Sequence, residues 1–280
     1  MIDRGPLCTL LEPLLGAPVE LEMLKEKPGR RATMRARGSR RTAIVKVYAS
    51  QRAATVAARI RGLAGGPDEP IVPEVLLLDE ELHLVVLSEV PGVPLSGSLT
   101  SGDQEVSARA GAALGTWHAA WRGTVAGAHR PHTVARELEL LEARLELAPP
   151  ELATAARAAL TALAMDDWGT ATIIHRDLYE EQIMVGEGIG LIDLDDSALG
   201  PPELDLGNLL GHLVLLERRA GVDLTAVTAA FLDSYRARGP VLDDALLERC
   251  RALTLLRLAC IHGEPWLADT AGARSARSSR

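Results

Sequence analysis

Aromatic side chains are scarce in this chain of 280 residues: Phe, Trp and Tyr make up 3% of it, and Phe231 is the single phenylalanine. Ala, Leu and Val must fill the core instead, and an aromatic cage of the kind that holds a quaternary ammonium is poorly supplied. Cysteine is scarce as well. Cys8, Cys250 and Cys260 are an odd number without metal-ligand spacing, which favours a reduced, cytoplasmic setting over a disulfide framework or a zinc site. No apolar run reaches the roughly 18 residues of a membrane span, and the opening MIDRGPLCTL lacks a positive region followed by a sustained apolar stretch. Concentrated positive charge is missing too. The net charge of −8 argues against nucleic-acid and anionic-membrane partners and tolerates a cationic small molecule.

What is present reads as a soluble globular protein, with 47% hydrophobic and 24% charged residues. Residues 5–16 are helical or irregular around Pro6 and Pro13. Val19 to Lys27, Ala32 to Arg37 and Thr42 to Tyr48 then read as three strands separated by the turns Lys27-Pro28-Gly29-Arg30 and Arg37-Gly38-Ser39-Arg40. The spacing predicts a helix over Ser50 to Leu63, and two further strands over Ile71 to Leu78 and Leu82 to Glu89. Two prolines and a glycine break the pattern between Val90 and Leu95. Beyond them the periodicity is helical: Asp103 to Trp121, a pair within 132–165 interrupted by Pro149-Pro150, Leu206 to Leu216, Thr225 to Arg238, and Leu242 to Leu267. Glu137, Glu139, Glu142, Glu146 and Glu151 read mostly as a solvated face. His118 reads as a helix-packing histidine, and His212 has no evident partner. The tail from Thr270 is small and basic and is expected to be disordered.

The chemistry concentrates in Ile173 to Asp205, IIHRDLYEEQIMVGEGIGLIDLDDSALGPPELD. An apolar run enters His175-Arg176-Asp177. A second run, Ile183-Met184-Val185, turns through Gly186 to Gly190 into Leu191-Ile192 and then Asp193, so the expectation is two short strands that each deliver a carboxylate near an end of a hairpin. Aspartates there are costly unless solvated, paired or holding a metal. Two of them suit Mg²⁺, which takes a few carboxylate oxygens plus substrate phosphates and keeps several waters. Asp177 would accept the proton of a substrate hydroxyl, the Gln182 amide oxygen could ligate one metal ion, and Asp193 could bridge metal and phosphates.

The ordered set His175, Asp177, Gln182, Asp193 and Asp205 resembles the motif of the aminoglycoside phosphotransferase and choline kinase superfamily, phosphotransferases with a protein-kinase-like fold. This chain looks like a variant with Gln in place of the usual catalytic-loop Asn. The longer side chain keeps the carbonyl oxygen but moves it by about one methylene, so ligation requires the loop to sit slightly farther back. The scarcity of aromatics weighs against the choline branch.

The resemblance implies an α+β, two-lobed, protein-kinase-like fold. Its lobes would be a small antiparallel-sheet nucleotide-binding lobe over 1–89, a hinge over 90–95, and a mainly helical catalytic and substrate lobe over 96–268, with the tail at 269–280. It implies a kinase, a phosphotransferase with an alcohol acceptor, that moves the γ-phosphoryl of ATP or GTP with Mg²⁺. Asp177 and His175 would be catalytic, and Asp193, Gln182 and Asp195 would hold metal. Lys46, alone inside the apolar run Ala43 to Tyr48, would pair the phosphates; a lysine there is expensive to bury without an anionic partner. Backbone groups near Glu89 and Val90 would meet the adenine. Asp205, at the start of an apolar helix, would brace the catalytic loop, and an acid there also suits the helix dipole.

Two departures from the family stand out. The first hairpin has one glycine and no G-x-G-x-x-G, so that Arg30 and Arg31 either supply positive charge to the phosphates or form a solvated turn. The helix after Lys46 has three arginines and no acid to pair with the lysine. These features keep a second reading open, a non-catalytic nucleotide-binding pseudokinase or scaffold. The doublets Glu180-Glu181 and Asp195-Asp196 suggest a cationic amino-sugar or amino-alcohol acceptor; a neutral sugar or other metabolite is the competing choice.

Overall fold

The structure, a computed structural model, describes residues 4–64, 66–123, 127–162, 167–169 and 171–275. The chain divides into two compact units, Met1–Gly65 with Ile71–Pro91, and Gly66–Pro70 with Gly92–Arg280.

The first unit is built on five antiparallel strands, β1 (Glu20–Lys27), β2 (Arg31–Arg37), β3 (Thr42–Tyr48), β4 (Val75–Asp79) and β5 (Leu84–Ser88), in the spatial order β1-β2-β3-β5-β4. Strand alternation sends Met34, Ala36, Ala43, Val45, Leu84 and Val86 to one face. Helix α1 (Arg4–Leu15) closes that face with Leu7, Leu11 and Leu15, a stripe four residues apart. Helix α2 (Arg52–Arg61) buries Ala53, Val56, Ala57 and Ile60. The strand expected from Ile71 starts only at Val75, because Pro73 has no N–H to give a ladder.

The second unit is mainly helical. Its strands are short: β6 (Val93–Pro94), β8 (Ile183–Val185) and β9 (Ile189–Leu191) form one antiparallel sheet, and β7 (Thr172–Ile174) pairs with β10 (Ala198–Gly200). Its helices are α3 (Ser96–Thr100), α4 (Gln104–Ala120), α5 (Val134–Leu145), α6 (Pro150–Ala162), α7 (Pro202–Ala220), α8 (Thr225–Arg238), α9 (Asp244–His262) and α10 (Pro265–Ser275). Asp103 caps α4 by accepting from the Val106 N–H. On α4, Gly111 and Gly115 let α8 come close, since a Cβ at either position would strike the main-chain oxygen of Phe231 or Tyr235. The apolar faces of α5, α6, α9 and α10 share one core that includes Leu141, Leu160, Leu253 and Leu267.

Three expectations need correction. The strand entering His175 is not part of a hairpin with the strand leading to Asp193: β7 pairs with β10, and the hairpin is β8 with β9. The long helix expected over Leu242 to Leu267 is two, because Gly263 takes the left-handed conformation (φ 66°) and caps α9 by donating to Ala259 O. The segment expected to be a disordered tail continues as α10 to Ser275, held by buried Leu267, Ala268 and Ala271. That expectation also falls on residues 276–280, which lie outside the described residues.

Candidate active site

Six of the sequence-selected residues gather in the second unit. The loop after β7 carries His175, Arg176 and Asp177, a 3-10 turn over Glu180–Gln182 follows, and the β8–β9 hairpin delivers Asp193. The Gln182 carbonyl accepts from the Ile192 N–H at 3.0 Å, extending the hairpin ladder so that Gln182 precedes it and Asp193 follows it at the same end. His175 ties this end to the loop. Its Nε2 donates to Ile192 O at 2.7 Å and its Nδ1 accepts from the Asp177 N–H at 3.3 Å, which selects the tautomer with its proton on Nε2.

The loop backbone is strained where the chemistry concentrates. Arg176 (φ 72°) and Asp193 (φ 60°) both lie in the left-handed region, where a side chain costs roughly 1–2 kcal/mol. Compensation comes from Asp205 in the first turn of α7, fully buried. Its Oδ2 accepts from the His175 N–H at 2.6 Å and its Oδ1 from the Arg176 N–H at 2.7 Å. His118 Nε2 donates to the same carboxylate at 3.2 Å, and His118 Nδ1 pairs with the Tyr235 hydroxyl at 2.8 Å. Burial pushes the Tyr235 phenol well up, so it stays a donor toward the ring. One turn along α7, Asn208 Nδ2 donates to Leu178 O at 2.7 Å. A further turn on, His212 stacks on Tyr179 with ring centroids 4.7 Å apart. Desolvation, with the charges of Arg257, His262 and Arg219, drives the His212 pKa down to about 3, and burial pushes Tyr179 up to about 12, so both rings are neutral near pH 7.

Asp177 reaches solvent while protein crowds it on most sides. That desolvation pushes its carboxyl above the usual range; Arg257 is the largest charge opposing the shift, and Asp193 and Asp196 add to it. Asp195 is buried at 2% exposure in the 3-10 turn Leu194–Asp196. Among the described residues no cluster of three or more His, Cys, Asp or Glu stands ready to hold a metal ion.

The other four selected residues belong to the first unit. Lys46 is buried on β3, the central strand, opposite Thr33 of β2 and Val85 of β5. Arg30 is exposed in the β1–β2 turn, where its main chain bonds Lys27 O and the Ala49 N–H. The Glu89 side chain accepts from Arg35 Nε at 2.7 Å, and Val90 is buried.

Several side chains around the loop were not singled out in the sequence, or were misread. Glu137 is buried, not solvated. Burial alone would raise its pKa, but the hydrogen bond from His132 at 2.8 Å and the charges of Arg257 and Arg176 hold it below the usual carboxylate value. Arg257 on α9 hydrogen-bonds Asn208 Oδ1 and lies 3.7 Å from Glu137. Of the acidic doublets, Glu180 is buried and Glu181 exposed, so the first does not present two carboxylates to one face.

No curated protein sequence matches the chain. Solved structures share its fold: a choline kinase from Cryptosporidium parvum at 10% identity, with 99% of this chain and 95% of that one covered and a TM-score of 0.71; the amicoumacin kinase hAmiN in complex with AMP-PNP and Ca²⁺ at 16% identity, 86% and 80% coverage and a TM-score of 0.64; and a thermostable mutant of the aminoglycoside phosphotransferase APH(4)-Ia with AMP-PNP and hygromycin B at 14% identity, 98% and 97% coverage and a TM-score of 0.59. The fold is therefore the two-lobed, protein-kinase-like one, with a small antiparallel-sheet lobe and a mainly helical lobe. The family model described as phosphotransferase enzyme family matches residues 29–259. With most of its length matched and its loop, hairpin and clamp in that order, the chain belongs to the phosphotransferase enzyme family and is a small-molecule phosphotransferase acting on hydroxyl groups.

Proposed function

We propose that the protein transfers the γ-phosphoryl group of ATP or GTP to a hydroxyl of a small molecule, with Asp177 as the base. The observation that supports this most is the joint anchoring of loop and hairpin: His175 bonds Ile192 O while Asp205 holds the His175 and Arg176 amides. A base must sit within hydrogen-bond reach of the proton it takes, and a loop tied at both sides keeps Asp177 in one position. Its raised pKa makes the carboxylate a better proton acceptor than an ordinary aspartate.

The donor set fits a hard divalent cation. Asp193 and Gln182 stand at one end of the hairpin, and Mg²⁺ needs only one or two carboxylates when phosphates complete its shell. Gln182 and Asp193, with Asp195 as a further carboxylate, would hold it. Bound there with the nucleotide, it would supply charge neutralisation at the phosphoryl oxygens. The residues then position the reactants, which is most of the work for a loose transition state. Lys46, on a central strand, pairs the nucleotide phosphates, and the backbone near Glu89 and Val90 meets the base.

A thermal-shift comparison of wild type and Asp193→Asn, with ATP or GTP and with or without Mg²⁺, tests this reading. Ligand at about a hundred times its Kd stabilises by roughly 2.7 kcal/mol, about 5–11 °C at the ~2–4 °C per kcal/mol of a chain this size. A Mg²⁺-dependent shift that the variant loses is expected. A folded protein that shifts with neither nucleotide would sink the proposal.

A further inference from the structure

The loop that carries Asp177 is tied to a cationic side chain on α9. Asn208 Nδ2 donates to Leu178 O, the carbonyl next to Asp177, and Asn208 Oδ1 accepts from a guanidinium nitrogen of Arg257. Arg257 is thus tied to the loop through one buried amide. Its ion-pair partner Glu137 is 3.7 Å away, beyond hydrogen-bond length, and the Arg257 side chain keeps 20% of its surface open. A planar guanidinium carries five N–H donors in the fork that receives a carboxylate or phosphate, more than these two contacts use, and its charge acts on Asp177. We propose that the acceptor is a hydroxy compound bearing an anionic group, which Arg257 receives while the hydroxyl lies at Asp177. This rests on the kinase reading above and names its substrate class.

The other groups around the guanidinium agree with that charge. Glu137 is shared with His132 at 2.8 Å, and Arg176 also acts on it. The Tyr179–His212 stack is neutral, and His212 is driven neutral in part by the cations Arg257, His262 and Arg219. The features that favoured a cationic acceptor are weaker in three dimensions. Glu180 is buried and Glu181 is exposed, so the doublet does not offer two carboxylates to one cation. A cationic acceptor at Asp177 would be opposed by the charge of Arg257, which acts on that carboxylate.

The test is a matched acceptor set assayed with Mg·ATP: glycerate, glycerol 3-phosphate, glycerol and serinol, and gluconate, glucose 6-phosphate, glucose and glucosamine. The expected result is kcat/KM at least tenfold higher for the anionic members than for their neutral and cationic counterparts. Within the anionic members, carboxylates against phosphates identify the group that Arg257 takes. Arg257→Gln should erase the preference, and Arg257→Lys should keep part of it. Equal or higher rates for the neutral or cationic members overturn the proposal, as does a preference unchanged in Arg257→Gln, or no product from any member in a chain that binds Mg·ATP. The wild-type ranking decides even where Arg257→Gln fails to fold. A chain that does not bind Mg·ATP at all removes the kinase reading first.

Discussion

The two units hold their charged groups in opposite ways. In the first, Lys46 rides on the middle strand of a regular sheet, and its place follows from strand alternation and from neighbours on both sides. In the second, Asp177 and Asp193 sit in irregular backbone, next to or in left-handed residues, where no repeating ladder sets their place. Helix side chains do so instead, through Asp205, Asn208 and His118. Regular structure positions a side chain by repetition, whereas a loop needs buried hydrogen bonds from elsewhere in the chain.

The largest effect expected is on the loop side. Asp177→Ala should lower phosphoryl transfer by on the order of 10²–10⁴-fold and leave nucleotide binding nearly intact; normal turnover would remove Asp177 from the mechanism. The same carboxylate gives a pH signature. Since its folded pKa is raised, the base form is lost at a higher pH than for an ordinary aspartate, and the acid limb of kcat/KM should lie above that range. The sign for stability is the reverse of a salt-bridged acid: the ionised group is unfavourable above its folded pKa and neutral in effect below the unfolded one. Asp177→Asn should therefore raise Tm at neutral pH more than in acid, and an equal change at both would contradict that origin.

Lys46→Met comes next. Losing a charge-assisted contact of roughly 1.5–3 kcal/mol should weaken nucleotide binding by about 10–150-fold, measured by calorimetry, while the sheet keeps its Tm. Asp205→Ala is the counterpart in the loop unit. It leaves two buried amides without an acceptor, at about 1–3 kcal/mol each, and thermal melting should show the loss together with reduced kcat. If Lys46→Met cost as much stability as Asp205→Ala, the contrast between the units would collapse. Smaller still is Tyr235→Phe, which removes one partner of His118 for about 1 kcal/mol. Arg176→Gly should change stability by less than about 1 kcal/mol, because relief of the left-handed strain offsets the freedom gained by the unfolded chain.

The same contrast explains what could be read before any coordinates. Strands β1, β2 and β3 follow alternation and turn residues, so their bounds emerged from composition to within a residue. Asp177, Gln182, Asp193 and Asp205 came out as an ordered set along the chain. Their supports did not. Glu137 sits among Glu139, Glu142 and Glu146 and looked solvated; its burial depends on Arg257, which local periodicity cannot connect to it. His118 looked like a packing residue because its partners, Asp205 and Tyr235, are on α7 and α8. His212 had no visible partner until Tyr179 stacked on it. Arg257 carried no signal at all on a helix with several arginines.

Asp205, Asn208 and His212 are three and four residues apart on α7, and they meet the loop in its own order, at His175 and Arg176, then Leu178, then Tyr179. The helix works as a measuring rod laid along an otherwise shapeless segment, each turn marking where the next stretch of loop must lie. One residue inserted between Asp205 and His212 would rotate the later marks by about 100°, and the loop would lose its gauge even with every chemical group still present.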